Sequence, residues 1–98
     1  MYKLSHAAES DIEEFFSHSI MAFGLHQSEH YYTQLKQCLT LIANNPAMGV
    51  DASDIRPGYR RFAHQSHIIF YTIDISGISV VRVLHKHMDA VRQLHEDQ

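Results

Sequence analysis

The segment YRRFAHQSHIIFYTIDISGISVVRVL, residues 59–84, decides the fold. Before it the apolar residues recur every 3.6 positions; within it the period falls to two, and β-branched and aromatic residues dominate, as on a pleated surface. It divides into three strands. Tyr59-Arg60-Arg61-Phe62-Ala63 is the first, and Gln65-Ser66 is a tight turn. His67 to Ile73 is the second strand, apolar on both faces as a central strand is. Ser76-Gly77 makes the next turn, and Ile78 to Leu84 is the third strand, again largely apolar on both faces. Connections this short join antiparallel neighbours.

Working outward, Tyr2 to Leu4 is a short strand candidate, and Ser5 can cap a helix by accepting from an orphan N–H of its first turn. Glu9, Asp11, Glu13 and Glu14 suit the positive end of that helix. Ala8, Ile12, Phe15, Phe16 and Phe23 form its apolar stripe, and Gly24 supplies the stop, so the spacing predicts a helix over His6 to Phe23. A second helix follows at once. Tyr31, Tyr32, Leu35, Leu39 and Ile42 share its apolar face, and the pattern ends at Asn44-Asn45-Pro46. Two helices joined around Gly24 fold back as a hairpin. Cys38, beside Leu35 and Ile42, reads as a small buried hydrophobe. Pro46 to Pro57 is a loop by composition. Met88 to Glu96 can add one or two helical turns, with Met88, Val91 and Leu94 or His95 facing inward. The expected architecture is one α+β domain over residues 1–98, ordered β-α-α-β-β-β. The helical hairpin covers one face of an antiparallel sheet, and a short helical tail follows.

Composition narrows the function classes. Ninety-eight residues allow one modest core. No apolar run approaches the roughly 18 residues of a membrane helix, the N-terminus has no signal-peptide pattern, and the single cysteine cannot pair within the chain. These features predict a cytoplasmic protein with no membrane partner. The net charge of −3 is unevenly spread. Residues 1–54 hold two cations against seven acids, whereas residues 55–98 hold six cations against four acids. The second half reads either as a solvated mixed surface or as a basic face for an acidic partner.

Five motifs resemble the ParE-type toxins of the RelE/ParE toxin–antitoxin superfamily. Leu4-Ser5, Ala8 and Asp11-Ile12 match that group's LS..A..DI, and Asn45-Pro46 with Gly49 matches its NP..G. Ile55 to Phe62 is close to IR.GYR.F, Ser66 to Tyr71 to SH.IFY, and Arg82 to Asp89 to RVLH..MD. Five pieces in order cover essentially the whole chain. The resemblance implies a toxin that inhibits DNA gyrase and is neutralised by a ParD-like antitoxin. That antitoxin's N-terminal part binds operator DNA, which the toxin meets only indirectly, and its C-terminal segment folds on the toxin. Such segments are usually acidic, so against a chain of net charge −3 any charge complementarity has to be local, at Arg56, Arg60, Arg61 and Lys86. The expected target contacts are Arg60, Arg61, Arg82, His85, Lys86 and His87, the first two brought near the last three by the meander. The expected antitoxin contacts are Tyr31, Tyr32 and Arg56. The arginines of the first meander strand have a plainer reading too, as charges that keep a sheet edge soluble.

The superfamily also holds RelE-type ribosome-dependent mRNA endonucleases. Cleavage through a 2′-hydroxyl needs a base, an acid and cations for the phosphate, roles open to Arg61, Arg82, His85 and His87. The segment His85-Lys86-His87-Met88-Asp89 has the ParE form, and lysines are absent between Lys36 and Lys86, so no catalytic residue is assigned. A non-toxic interaction module of the same fold is the third reading. Nine histidines invite a metal, with His85 and His87 as one pair and His64 and His67 as another, but no third and fourth ligand stands at zinc-site spacing. No metal or cofactor is expected.

Overall fold

The computed structural model describes residues 1–88 and 92–94. The chain runs β1 (Tyr2–Leu4), α1 (His6–Phe23), α2 (Leu25–Asn44), a 3-10 turn (Pro46–Met48), β2 (Val50–Asp51), β3 (Arg60–His64), β4 (His67–Asp74) and β5 (Gly77–His85). The helical boundaries follow from local chemistry. The Ser5 hydroxyl accepts from the Ala8 N–H at 3.0 Å and so starts α1. Gly24, at φ 89, ends it and lets α2 begin one residue later.

The five strands form one sheet in the order β1-β5-β4-β3-β2. As expected, β3, β4 and β5 are an antiparallel meander, with β4 central. Two features differ from the expected antiparallel sheet. First, β1 pairs with β5 in parallel, Tyr2 opposite Ile78 and Leu4 opposite Val80. A parallel pair needs a crossover, which the helical hairpin and the first two meander strands provide. Second, the stretch read as loop contains β2, antiparallel to β3 with Val50 opposite Arg61. Two residues are too few to show a period.

The sheet is covered on both faces. Against one lie α1 and α2, burying Ala8, Ile12, Leu35, Leu39 and Ile42 on Ile69, Tyr71, Ile78, Val80 and Val83, with Cys38 buried among them. Against the other lie Ala52, Ile55 and Tyr59 from the loop before β3, and Leu94, which cover Phe70 and Leu84. This is why β4 is apolar on both sides. Of the expected tail, residues 92–94 are helical and Leu94 is buried, whereas Met88 is exposed; Val91 and His95 lie outside the described residues. Phe23, placed above on the apolar stripe of α1, is instead 66% exposed at the helical elbow.

Two devices fix the details. Between Phe70 and Tyr71 the β4–β5 register slips, Phe70 facing Arg82 and Tyr71 facing Val80. The extra residue, Val81, breaks the alternation of β5, so that Val80 and Val83 both reach the helical face. The second device is Tyr71. Its hydroxyl donates to Pro46 O at 2.7 Å and accepts from the Gly49 N–H at 3.0 Å. A Cβ at Gly49 would stand 2.2 Å from that hydroxyl oxygen. The asparagine-proline-glycine motif after α2 is thus the backbone imprint of one tyrosine. Tyr71→Phe, which leaves the buried Gly49 N–H without a partner, is expected to cost about 1–3 kcal/mol in urea unfolding. Gly49→Ala should cost at least as much, and an unchanged midpoint in both would show that the turn does not depend on this contact.

Candidate functional site

Six residues were expected to meet a target, and the structure divides them into three places. Arg82 turns inward and is 8% exposed. Its Nε and Nη2 each donate to the Asp11 carboxylate at 2.7 Å, and the same carboxylate accepts from the Val83 N–H at 3.0 Å. Asp11 holds the Arg82 guanidinium above its ordinary pKa, despite some burial. Arg82 is therefore a scaffold residue rather than a surface contact. Asp11, read above only as a complement to the helix dipole, is its partner 71 positions away, a separation at which local pattern carries no signal.

Arg60 is also largely structural. It is half-buried and donates from Nη2 to Ala47 O at 3.1 Å and to Gly49 O at 2.5 Å, holding the turn that precedes β2. Arg61 is half-buried opposite Val50, and Arg56 is exposed. These arginines do not approach His85, as the meander was expected to arrange. Arg60 is aligned with Tyr71 and Val80, whereas His64 aligns with His67 and His85. Four residues of strand, about 13 Å, separate the two ends.

What gathers at the second end is a group of imidazoles. His85, Lys86 and His87 are exposed just where β5 finishes. The rings of His85 and His87 are 5.0 Å apart, and that of His67 is 5.6 Å from His85. The His87 N–H donates to His85 Nδ1 at 3.2 Å. His67 is 8% exposed. Its ring lies 4.3 Å from that of Phe15 on α1, and its Nδ1 is 2.8 Å from the Tyr31 hydroxyl on α2. Burial lowers its pKa to about 4, helped by His85 and His64 and opposed by Asp11. Burial also lowers His64 and pushes the Tyr31 phenol up. At neutral pH this end of the sheet presents a neutral imidazole hydrogen-bonded to a neutral phenol.

Between the hairpin and this end of the sheet opens a cleft of about 410 Å³, walled by Phe15, Phe23, Tyr31, Ser66, His67 and His85 among others. A smaller one of about 170 Å³ adjoins it, with Glu14, Val83 and Met88 in its walls. Tyr31 thus faces the cleft. Tyr32, the second expected antitoxin contact, packs against Phe16 at 5.5 Å and carries the Lys36 ammonium 4.8 Å above its ring. Among the described residues no three histidine, cysteine or acidic side chains come together to hold a metal ion. Of the residues that RNA cleavage would use, His85 and His87 stand together, Arg82 is engaged by Asp11, and Arg61 lies towards the other end of β3.

The fold thus combines an N-terminal parallel edge strand, a helical hairpin and an antiparallel meander. A solved structure described as the chromosomal ParDE toxin–antitoxin system from P. aeruginosa superposes with a TM-score of 0.74 at 13% identity, covering 86% of this chain and 92% of the other. The chain belongs to the ParE toxin family of type II toxin–antitoxin systems, whose family profile, described as the ParE toxin of parDE, matches residues 2–90. It is similar to Toxin ParE1 of Mycobacterium tuberculosis, 40% identical over 94 residues, 95% of this chain and 96% of the relative. It is also similar to Toxin ParE1 of Caulobacter vibrioides, 35% identical over 89 residues, 91% and 92% of the two chains. No helix among the described residues is long and apolar enough to cross a membrane.

Two outcomes follow from this geometry. Arg82→Ala leaves the half-buried Asp11 carboxylate with the Val83 N–H but without its ion pair, so it should lower unfolding stability by about 1–3 kcal/mol. Partial recovery in Asp11→Asn/Arg82→Ala would confirm that the charge is the cause, and a fully stable Arg82→Ala would return this residue to the surface set. His67 binds a proton more readily unfolded than folded. Its contribution is complete above the ordinary histidine pKa near 6.5 and is lost as pH falls towards about 4. Stability should decline across that window by a few kcal/mol. His67→Gln should flatten the decline, and an identical profile would show that His67 does not cause it.

Proposed function

We propose that this toxin inhibits DNA gyrase and is silenced by a ParD-like antitoxin, meeting operator DNA only through that partner. The match to ParE toxins over residues 2–90 is the observation that carries the reading. The geometry is compatible with inhibition by binding rather than by catalysis. The cations that could steady a reacting phosphate are spread over the fold, with Arg82 engaged by Asp11 and Arg60 by backbone carbonyls, whereas phosphate chemistry needs them converged on one point. Target contact then falls to the exposed turn His85-Lys86-His87, with Arg61 as a second, separate contact. Antitoxin contact falls to the hairpin, through Tyr31 and the rim of Tyr32, and to Arg56 before β3. A basic side chain at the centre of such a contact can be worth about 2 kcal/mol or more, and one at the rim very little.

The runner-up, mRNA cleavage on ribosomes, is favoured only by the adjacency of His85 and His87. One experiment separates the two. Purified toxin should block gyrase supercoiling and be relieved by the antitoxin encoded beside it, while translating ribosomes keep their mRNA intact. Lys86→Ala should weaken inhibition by at least about tenfold without loss of folding. Untouched supercoiling at micromolar toxin, or mRNA cleavage lost in His85→Ala, would replace gyrase inhibition with the enzymatic reading.

A further inference from the structure

At the end of β5, His85 is held between two other imidazoles. The ring of His67 stands edge-on to it at 5.6 Å, and that of His87 lies 5.0 Å away. His67 is turned towards Tyr31, to which its Nδ1 is hydrogen-bonded, and so backs the His85 ring from within the fold. Two imidazoles on one tetrahedral ion, each with a metal–nitrogen bond of about 2.0–2.1 Å, have ring centroids about 5 Å apart. His85 and His87 already stand at that separation.

The sequence offers these two histidines no third and fourth ligand nearby; the fold does. Glu14 and His18, four positions apart on α1, share a helical face. Both are exposed, and both wall the cavity of about 170 Å³ that His85 also walls. That space is several times the share of one water in the liquid, roughly 30 Å³. Among the described residues no three such groups are gathered as the side chains now stand. Neither Glu14 nor His18 is held by burial, however, and exposed side chains change rotamer rapidly. Asp11 walls the same cavity, but its carboxylate is taken up by Arg82 and the Val83 amide. Arg82 and Lys86 are the neighbouring cations. They disfavour a hard ion held by charge alone, whereas imidazole binds borderline ions such as zinc, nickel and copper(II) through its nitrogen lone pair.

We propose that Glu14 and His18 of α1 and His85 and His87 at the end of β5 form a site for a borderline divalent transition-metal ion such as zinc. His85 and His87 are the prepared pair, and the two α1 side chains close on the ion by rotation. The His85 Nδ1 accepts the His87 N–H at 3.2 Å, and coordination gives up only this long contact. Through Nε2, the ring proton moves to Nδ1; through Nδ1, the metal takes the place of the amide. The bound ion adds a second tie between α1 and β5 beside the Asp11–Arg82 pair, and it sits on the turn that carries Lys86. The site is independent of what the toxin's target is, since metal binding requires no partner.

The test is calorimetric titration of the full chain, free of any added histidine tag, with zinc chloride at neutral pH and with magnesium chloride as the control. One zinc ion should bind per chain at micromolar concentration or below, and magnesium should give no response. His85→Gln, His87→Gln, Glu14→Gln and His18→Gln should each weaken zinc binding by at least about tenfold, since even groups outside the ligand shell are worth about 10–100-fold. All four positions are exposed, so circular dichroism should stay that of the parent. His26→Gln/His30→Gln removes another exposed pair of histidines, one helical turn apart on α2, and should leave zinc affinity unchanged. In amide NMR spectra, zinc should shift the signals around Glu14 and His18 together with those around His85 and His87. No zinc binding at submillimolar concentration would overturn the proposal, as would binding lost with His26 and His30. Binding that needs His85 and His87 but is unchanged in both Glu14→Gln and His18→Gln is surface chelation by two imidazoles only, and would overturn the site as well.

Discussion

The fold depends on how α1 is fastened to β5. Asp11 takes two hydrogen bonds from Arg82 and one from the Val83 amide, and the capping residue Ser5 donates its hydroxyl to the Val81 carbonyl at 2.7 Å. The Ser5 N–H also reaches Val80 O at 3.0 Å. These contacts surround the bulge in β5, on the side where β1 has already ended. Backbone groups there would otherwise lack a neighbouring strand, and a short helix-borne carboxylate and a capping serine stand in for it. The same contacts set the rotation of α1 about its axis, and so direct Ala8 and Ile12 into the core and leave Phe15 facing the imidazoles.

Seen this way, the motifs that relate the chain to its family are mostly scaffold. Leu4, Ser5, Ala8, Asp11 and Ile12 join the first helix to the last strand. Asn45, Pro46 and Gly49 shape a turn around Tyr71. Ile55 and Tyr59 cover the second face of β4, and Gly58, at φ 86, makes the turn between them possible. A family can share all of these and still differ in what it touches, because Arg56, Lys86 and His87 are exposed and join this framework through backbone hydrogen bonds.

Both helices and the meander were legible because each has a strong period and clear punctuation: Ser5, Gly24 and Pro46 for the helices, Gln65-Ser66 and Ser76-Gly77 for the strands. The partner of β1 was not, since three residues do not indicate which distant strand they join. Arg82 was misassigned for a related reason. A charge in an apolar strand looks like surface until its counter-ion is known, and that counter-ion stood on a helix whose acids already had an adequate local explanation. The set around His85 was half legible: the His-Lys-His run is visible in the chain, but its association with His67, Tyr31 and Phe15 depends on how the hairpin folds over the end of the sheet.

The parallel pairing of β1 with β5 has a consequence for synthesis. Tyr2 is aligned with Ile78, and Met1 O accepts from the Ile78 amide at 3.1 Å, close over Gly77. During synthesis β1 thus waits for β5 before it has a strand to join, and Asp11 waits as long for Arg82. Long-range closure of this kind is slow compared with helix formation. A nascent chain can form its helical hairpin early, but it cannot complete the sheet or the cleft until β5 has emerged. Translation interrupted before β5 should therefore yield fragments in which neither the sheet nor the cleft is complete.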